Sequence, residues 1–223
     1  MPQRLIYLAM HTDYSEEFDP STELPEDRCG QIVVQRLLDN HRGHWGPLEH
    51  PHLSLLLKVD HNTAVQLRTH RVGLSFDVQS MRYTGRRIEA VADGNTPIDE
   101  VFYIRPPGAY RDRQGDSYQW TQHQIAELAT LHMNSACDYA DLRGKGVSEE
   151  HARCALPTSY YQNVLITGNA RSWLHLLDVR LKADAQLEVR WAMDLAADRV
   201  AQWIPEVYAW WHTHRKGKAL LAP

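Results

Sequence analysis

The sequence is poor in the features that most often announce a function. It holds three cysteines, Cys29, Cys137 and Cys154, widely spaced and without a CxxC pair. A scattered odd set excludes a disulfide framework and a thiolate zinc site, and points to reduced thiols in a cytoplasm. GxGxxG and GxxxxGK[ST] are both missing, which removes support for a Rossmann or P-loop nucleotide site. GxSxG is missing too, and no cysteine has a recognisable nucleophile context. The longest apolar run, Leu53 to Val59, is broken by Ser54 and Lys58 and is far shorter than the ~20 residues of a membrane span. The opening MPQRLIYLAM meets His11 and Asp13 with no small-residue cleavage site, which argues against a secretory signal. Neither sign of charge dominates: 24 basic against 28 acidic side chains leave a net −4. Nothing therefore draws the whole protein to a nucleic-acid polymer or an anionic membrane, and any anion site must be built locally.

What is present is an ordinary globular composition, 43% hydrophobic and 23% charged in 223 residues, enough for one core and one domain over 1–223. No internal repeat or low-complexity segment breaks it. The class is α/β or α+β, a mixed sheet flanked by helices and helix-rich toward the C-terminus. Loose alternation at Leu5, Tyr7 and Ala9 predicts a strand over 2–9, and Asp19-Pro20 and Leu24-Pro25 punctuate the loop after it. Ile32, Val33, Leu37 and Leu38 predict a helix over 26–40, then a histidine-rich loop over 43–51 and a buried strand over 53–59. Asp60 or Asn62 can cap a helix running to about Arg71, closed by Gly73, with an extended segment over 74–83. The glycine- and proline-rich stretch 84–116 reads as loop with one strand at 101–104, followed by a long helix over 117–142. Further helices are predicted from Ser148, over 169–180 with Trp173, Leu174, Leu176 and Leu177 inward, and over 184–204 with Leu187, Trp191, Leu195 and Val200 inward. Residues 160–166 are apolar and fit a strand or a helix.

Three clusters carry chemistry. His44, Glu49, His50 and His52 supply the donor types of a metal site. Their spacing across Gly46-Pro47 and Pro51 matches no helix-borne metal motif and suits histidines that hydrogen-bond their own loop, or one that faces a planar ligand. The stretch Gln66 to Arg87 is the densest in cations, with Arg68, His70, Arg71, Arg82, Arg86 and Arg87 among hydroxyls and amides. Guanidinium forks and hydroxyls suit phosphate oxygens, and the same strip also reads as a solvated basic face balanced by Asp13, Glu16 and Glu17. The third cluster is Arg153 before Leu156-Pro157, with Asn169, Arg171 and His175 and then Arg180. Arg171 and His175 share a helix face, and Asn169 stands at a helix start where free N–H groups favour anions. Together these ask for an anionic, nitrogen-rich ligand with more than one phosphate.

The run HRVGLSFDVQSMRY, from His70 to Tyr83, resembles the RHR-x7-S signature of the flavin-dependent thymidylate synthases. The GH…EH loop (Gly43, His44, Glu49, His50), Gln66, the ARxxLP box (Ala152 to Pro157) and the NARS…R…AQxExR stretch (Asn169 to Arg190) follow in the family's order. Two departures stand out. Thr69 replaces the first arginine of RHR, and eight residues rather than seven separate Arg71 from Ser80. His175 also stands where many members have asparagine.

The resemblance implies the family's fold and conversion of dUMP to dTMP. The one-carbon unit would come from 5,10-methylenetetrahydrofolate and the reducing equivalents from NADPH through FAD, in a homotetramer with shared active sites. It implies that His70, Arg71, Asn169, Ala170, Arg171 and His175 hold FAD. It assigns dUMP to Gln66, Thr69, Gln79, Ser80, Met81, Arg82, Arg153 and Arg180, and puts His44 against the flavin or folate pocket. Arg180, Ser80 and His44 would serve catalysis, Arg180 by drawing electron density from the pyrimidine. No covalent enzyme nucleophile and no metal are implied, and Ser80, with no base adjacent in sequence, reads as a positioning hydroxyl. A non-catalytic nucleotide- or RNA-binding protein using the 66–87 strip is the alternative, and it has only Phe76 and Tyr83 for base stacking. A histidine-loop metal hydrolase is a third.

Overall fold

The computed structural model describes residues 1–218 apart from Phe18, Pro20, Thr22, Arg42, Gly43, Arg113 and the side chain of His41. Pro20 and Gly43, singled out above, and everything after Lys218 lie outside the described residues. The chain divides into two compact units. The first comprises Met1–Leu56, Leu67–Phe76 and Leu165–Pro223, and the second Leu57–Gln66 and Asp77–Val164.

In chain order the elements begin with helix α1 (Pro2–Tyr14) and helix α2 (Glu26–Val33), which continues through a π-helical turn at Val34–Leu38. Strand β1 (His52–Asp60), helix α3 (His61–Leu67), strand β2 (Leu74–Val78), and helices α4 (Arg86–Ala92) and α5 (Ile98–Val101) follow. Next come the hairpin strands β3 (Gly108–Arg111) and β4 (Ser117–Trp120), then helices α6 (Gln122–Gly144) and α7 (Glu149–Ala152). Strand β5 (Tyr161–Asn169) and helices α8 (Ala170–Arg180), α9 (Leu187–Trp203) and α10 (Pro205–His214) complete the described chain. The larger sheet has the order β1-β5-β2, and β3 pairs antiparallel with β4, Gly108 opposite Trp120. The class is the expected mixture of α and β.

In the first unit the expected strand over 2–9 is a helix. Pro2 occupies its first turn, and Gln3, Ile6 and Met10 form the buried stripe while Leu5 is 42% exposed. Three-and-four spacing of the residues that find a core overrides a weak alternation. The Gln3 amide fixes this helix against two others. Its Oε1 accepts from the Glu206 and Val207 N–H groups at the start of α10 (3.0 and 3.3 Å), and its Nε2 donates to the Glu26 carbonyl (3.3 Å). Glu26 in turn accepts from the backbone N–H of Gln3 and Arg4 (2.6 and 3.1 Å), so side chains satisfy helix ends that would otherwise carry orphan donors. Helix α8 buries Trp173, Leu174, Leu176 and Leu177 completely, as expected. Helix α9 turns Val189, Ala192, Met193, Ala196 and Val200 inward, whereas Trp191 and Leu195 are 40% and 68% exposed. The small alanines, rather than the largest apolar residues, make up the packed stripe.

Strand β1 is only half-buried: His52, Ser54, Leu56 and Lys58 alternate outward. Ser54 and Lys58, two positions either side of Leu56, mark that polar face in the sequence.

In the second unit α3 starts at the expected place, with Asp60 Oδ1 accepting from the Thr63 N–H (3.1 Å) and Oδ2 from its hydroxyl (2.6 Å), and ends at Leu67. The stretch 84–116 is not loop with one strand at 101–104, since α4, α5 and β3 lie within it. Ile88, Val91, Val101 and Phe102 pack with Met81, Ala136 and Tyr139 as the unit's core. The expected strand at 101–104 reduces to one bridge between Phe102 and Tyr160. Gly85 is the hinge of this packing, because a Cβ there would sit 1.9 Å from the Tyr139 hydroxyl. The long helix opens later than expected, after β4, where Thr121 and Gln124 form a reciprocal capping box.

Candidate active site

Within the first unit, residues far apart in sequence meet around Arg180 at the end of α8. Its Nε donates to His70 Nε2 at 2.5 Å and its NH2 donates to Thr69 Oγ1 at 3.0 Å. The His175 ring lies edge-on to His70 with centroids 6.4 Å apart, and its Nδ1 is buried without a hydrogen-bond partner. Burial pulls His70 from 6.5 down to about 4, and the Arg180 and His175 charges push the same way. A guanidinium cannot accept a hydrogen bond, so His70 Nε2 is the bare nitrogen and its proton sits on Nδ1. Burial also lowers the Arg180 pKa, from a value so high that the group stays charged.

The other end of α8 is set by Asn169, whose Oδ1 accepts from the Ser172 N–H at 2.8 Å, while the Ala170 N–H donates to the Pro51 carbonyl at 3.1 Å. Gly73, at φ +67°, runs against this helix start: a Cβ there would lie 2.0 Å from Ser172 Oγ and 3.5 Å from Asn169 Nδ2. Arg171 pairs with Glu49 at 2.6 Å, tying α8 to the histidine loop. Arg71 is exposed.

The histidines of that loop do not converge. His44 Nε2 faces Asp13 Oδ2 at 3.3 Å with Tyr14 edge-on at 5.3 Å, and His52 Nδ1 bonds the His50 carbonyl at 3.0 Å. Among the described residues no group of three His, Cys, Asp or Glu side chains could hold a metal ion. Cys29 is buried, Cys137 and Cys154 are exposed, and none is in a disulfide.

In the second unit Ser80 and Arg82 are exposed at a turn, Arg153 is exposed at the start of a short 3-10 helix, and Gln66 is exposed near the end of α3. The Ser80 hydroxyl accepts from the Arg82 N–H at 3.3 Å, and its carbonyl accepts from the Tyr83 N–H and the Thr84 hydroxyl. It therefore shapes a turn. Arg82 pairs with Glu150 at 2.9 Å. Gln79 is spent on β5: its N–H and Oε1 bond the Asn163 backbone (2.8 and 3.2 Å), and its carbonyl accepts from Gln162. Met81 is a core residue, 2% exposed, so only its backbone is offered to a ligand.

Sequence reasoning missed the roles of Ser172, Gly73 and Arg87. Ser172 and Gly73 are visible only as a close approach between distant segments. Arg87 is half-buried against Met81 Sδ (3.1 Å) with its Nε buried and without a hydrogen-bond partner, and within a run of arginines nothing distinguishes it.

Residues 1–206 match the family described as thymidylate synthase complementing protein. The chain is similar to the flavin-dependent thymidylate synthase of Halobacterium salinarum, 32% identical over all of this chain and 96% of that protein. The enzyme of the same name from Haloarcula marismortui is 30% identical with the same coverage. Among solved structures, the UMP/dUMP methylase PolB from Streptomyces cacaoi, bound with 5-Br dUMP, superposes with a TM-score of 0.72 at 20% identity. That comparison covers 96% of this chain and 91% of PolB.

Proposed function

The chain belongs to the thymidylate synthase complementing protein family, and we propose that it is a flavin-dependent thymidylate synthase methylating dUMP to dTMP, with residues 1–223 acting as one catalytic domain. The observation that carries this is the meeting of Thr69, His70, His175 and Arg180, motif residues from opposite ends of the chain.

A flavin fits the residues of the first unit. The buried, unpartnered His175 Nδ1 can bond a polar ring edge, and the Arg171 guanidinium at the start of α8 suits a pyrophosphate. In this reading FAD is held by His70, Arg71, Asn169, Ala170, Arg171 and His175, and when bound it supplies the hydride chemistry. The chain's own residues bind, orient and polarise. Gln66, Thr69, Gln79, Ser80, Met81, Arg82, Arg153 and Arg180 serve dUMP in the same reading, Met81 through its backbone. Arg82 and Arg153 offer charge-assisted bonds to its phosphate. Arg180, oriented by His70 and Thr69, stabilises negative charge as it develops on the pyrimidine. Ser80 positions and does not attack. His44 borders the flavin or folate pocket. NADPH is the reductant, 5,10-methylenetetrahydrofolate the one-carbon donor, and the working form a cytoplasmic homotetramer. Among the described residues no helix is long and apolar enough to cross a membrane.

The test is the visible spectrum of purified protein loaded with FAD, before and after dUMP. Retained flavin bands that shift on adding dUMP are the expected result. A protein that neither keeps FAD nor responds to dUMP would overturn the reading and favour a binding protein that uses the 66–87 strip.

A further inference from the structure

We infer that a cavity in the first unit, walled by α1 on one side and by α2 with its π-helical turn on the other, binds an aromatic group that carries an anion. This rests on the thymidylate synthase reading for the identity of the ligand, since two of its co-substrates end in such a group. One is the p-aminobenzoyl-glutamate of a folate, the other the 2′-phosphorylated adenosine of NADPH.

The cavity has a volume of about 830 Å³, within the ~300–1,000 Å³ of small-molecule sites. Its α1 wall is made of rings. Tyr7, His11 and Tyr14 stand at i, i+4 and i+7, one face of a helix, with Tyr7 and His11 centroids 4.3 Å apart. Tyr14 continues this wall onto His44. The facing wall supplies charge: Arg28 from α2 and Arg36 from the π-helical turn both line the cavity, with Gln35 between them and Leu37. Among the described residues no carboxylate lines the cavity, and Asp13 is turned to His44. The π-helical turn brings three consecutive residues, Gln35, Arg36 and Leu37, to one cavity, and such turns inside helices recur at functional sites. Rings along one side and guanidinium forks on the other suit an aryl group stacked on α1 with its carboxylates or phosphate against the arginines. None of Tyr7, His11, Tyr14, Arg28 or Arg36 belongs to the motif residues assigned to flavin or dUMP. His44, which the proposed reading sets beside the flavin or folate pocket, lines the cavity as well.

Two probes separate the sources. Isothermal titration of the FAD-loaded full chain with free p-aminobenzoyl-glutamate and with 2′,5′-ADP is compared between wild type and the Arg28→Ala/Arg36→Ala double variant. Both arginines are exposed, and circular dichroism checks that the variant keeps its fold. The expected result is that one probe binds and that the double variant weakens it by roughly tenfold or more. The KM of the corresponding co-substrate should rise with it, while the dUMP-induced flavin shift is unchanged. Wild type binding neither probe, or both proteins binding equally, would overturn the cavity assignment and leave the thymidylate synthase reading standing. Probe binding that depends on the arginines in a protein without a flavin or dUMP response would do the reverse.

Discussion

Arg180 in the first unit is built into its surroundings, whereas Arg82 in the second stands largely in water. Arg180 is partly buried, and His70 and Thr69 fix its guanidinium from two sides. Arg82 is 57% exposed and pairs with Glu150, itself 48% exposed, a contact of the kind that contributes ~0–1 kcal/mol. Fixed donors in a desolvated setting suit charge that develops during a reaction, because they need no reorganisation at that moment. A mobile, solvated guanidinium suits capture of a phosphate whose charge is permanent. On the proposed function, reaction falls to Arg180 and recruitment to Arg82.

The largest effect should come from removing the fixed member. Arg180→Ala should lower dUMP-dependent turnover by at least about a hundredfold while circular dichroism and flavin content stay close to wild type. Near-normal turnover would take Arg180 out of the chemistry.

The surroundings of Arg180 can be broken without touching it. Gly73→Ala puts a Cβ into Ser172 Oγ at a residue with φ +67°, and strain plus overpacking should cost roughly 2–4 kcal/mol in chemical denaturation and loosen flavin. Gly85→Ala is the matching test in the second unit. A Cβ 1.9 Å from the Tyr139 hydroxyl should cost about 1–3 kcal/mol and leave FAD retention unchanged. Equal effects of both substitutions on flavin would erase the distinction.

Acid should dissolve the contrast at His70. Its folded pKa of about 4 lies below the ordinary 6.5. The stability that neutral His70 contributes is therefore whole above pH 6.5 and is lost as pH falls toward 4. Protonating Nε2 also removes the acceptor for Arg180. The dUMP-induced flavin shift should fade as pH drops through about 4, and His70→Asn should flatten the stability profile between those values. A wild-type shift that survives below the lower value would disprove the tautomer assignment. The smallest effect belongs to the exposed pair. Glu150→Gln releases Arg82 and should tighten dUMP binding by a factor of about two to five, as expected from ~0.2–1 kcal/mol. Weaker binding would make Glu150 a needed orienter.

Much of this was legible from residue order. Asn169 as a helix start, Trp173 to Leu177 as its buried side and Asp60 as a cap are local signals, and local signals survive folding, whereas the helix expected to run to Gly73 ends at Leu67. The strand over 2–9 and the loop over 84–116 were misread. Pro2 and a few apolar residues on α1, or Ile88 and Val91 on α4, become a face only when something packs against them. Leu195 shows the converse, an apolar residue at helical spacing that finds no core within the chain.

By itself the sequence determined the family and the motif residues to which the chemistry is proposed, because motif spacing and residue type persist whatever the packing does. Tertiary structure decided their working state. His70 meets Arg180 across 110 positions, Thr69 takes up the guanidinium where the family motif has an arginine, and Gln79 and Met81 are spent on a strand and a core. Hydrogen bonding and desolvation act through space at a few ångströms, and only the folded chain brings those distances into being.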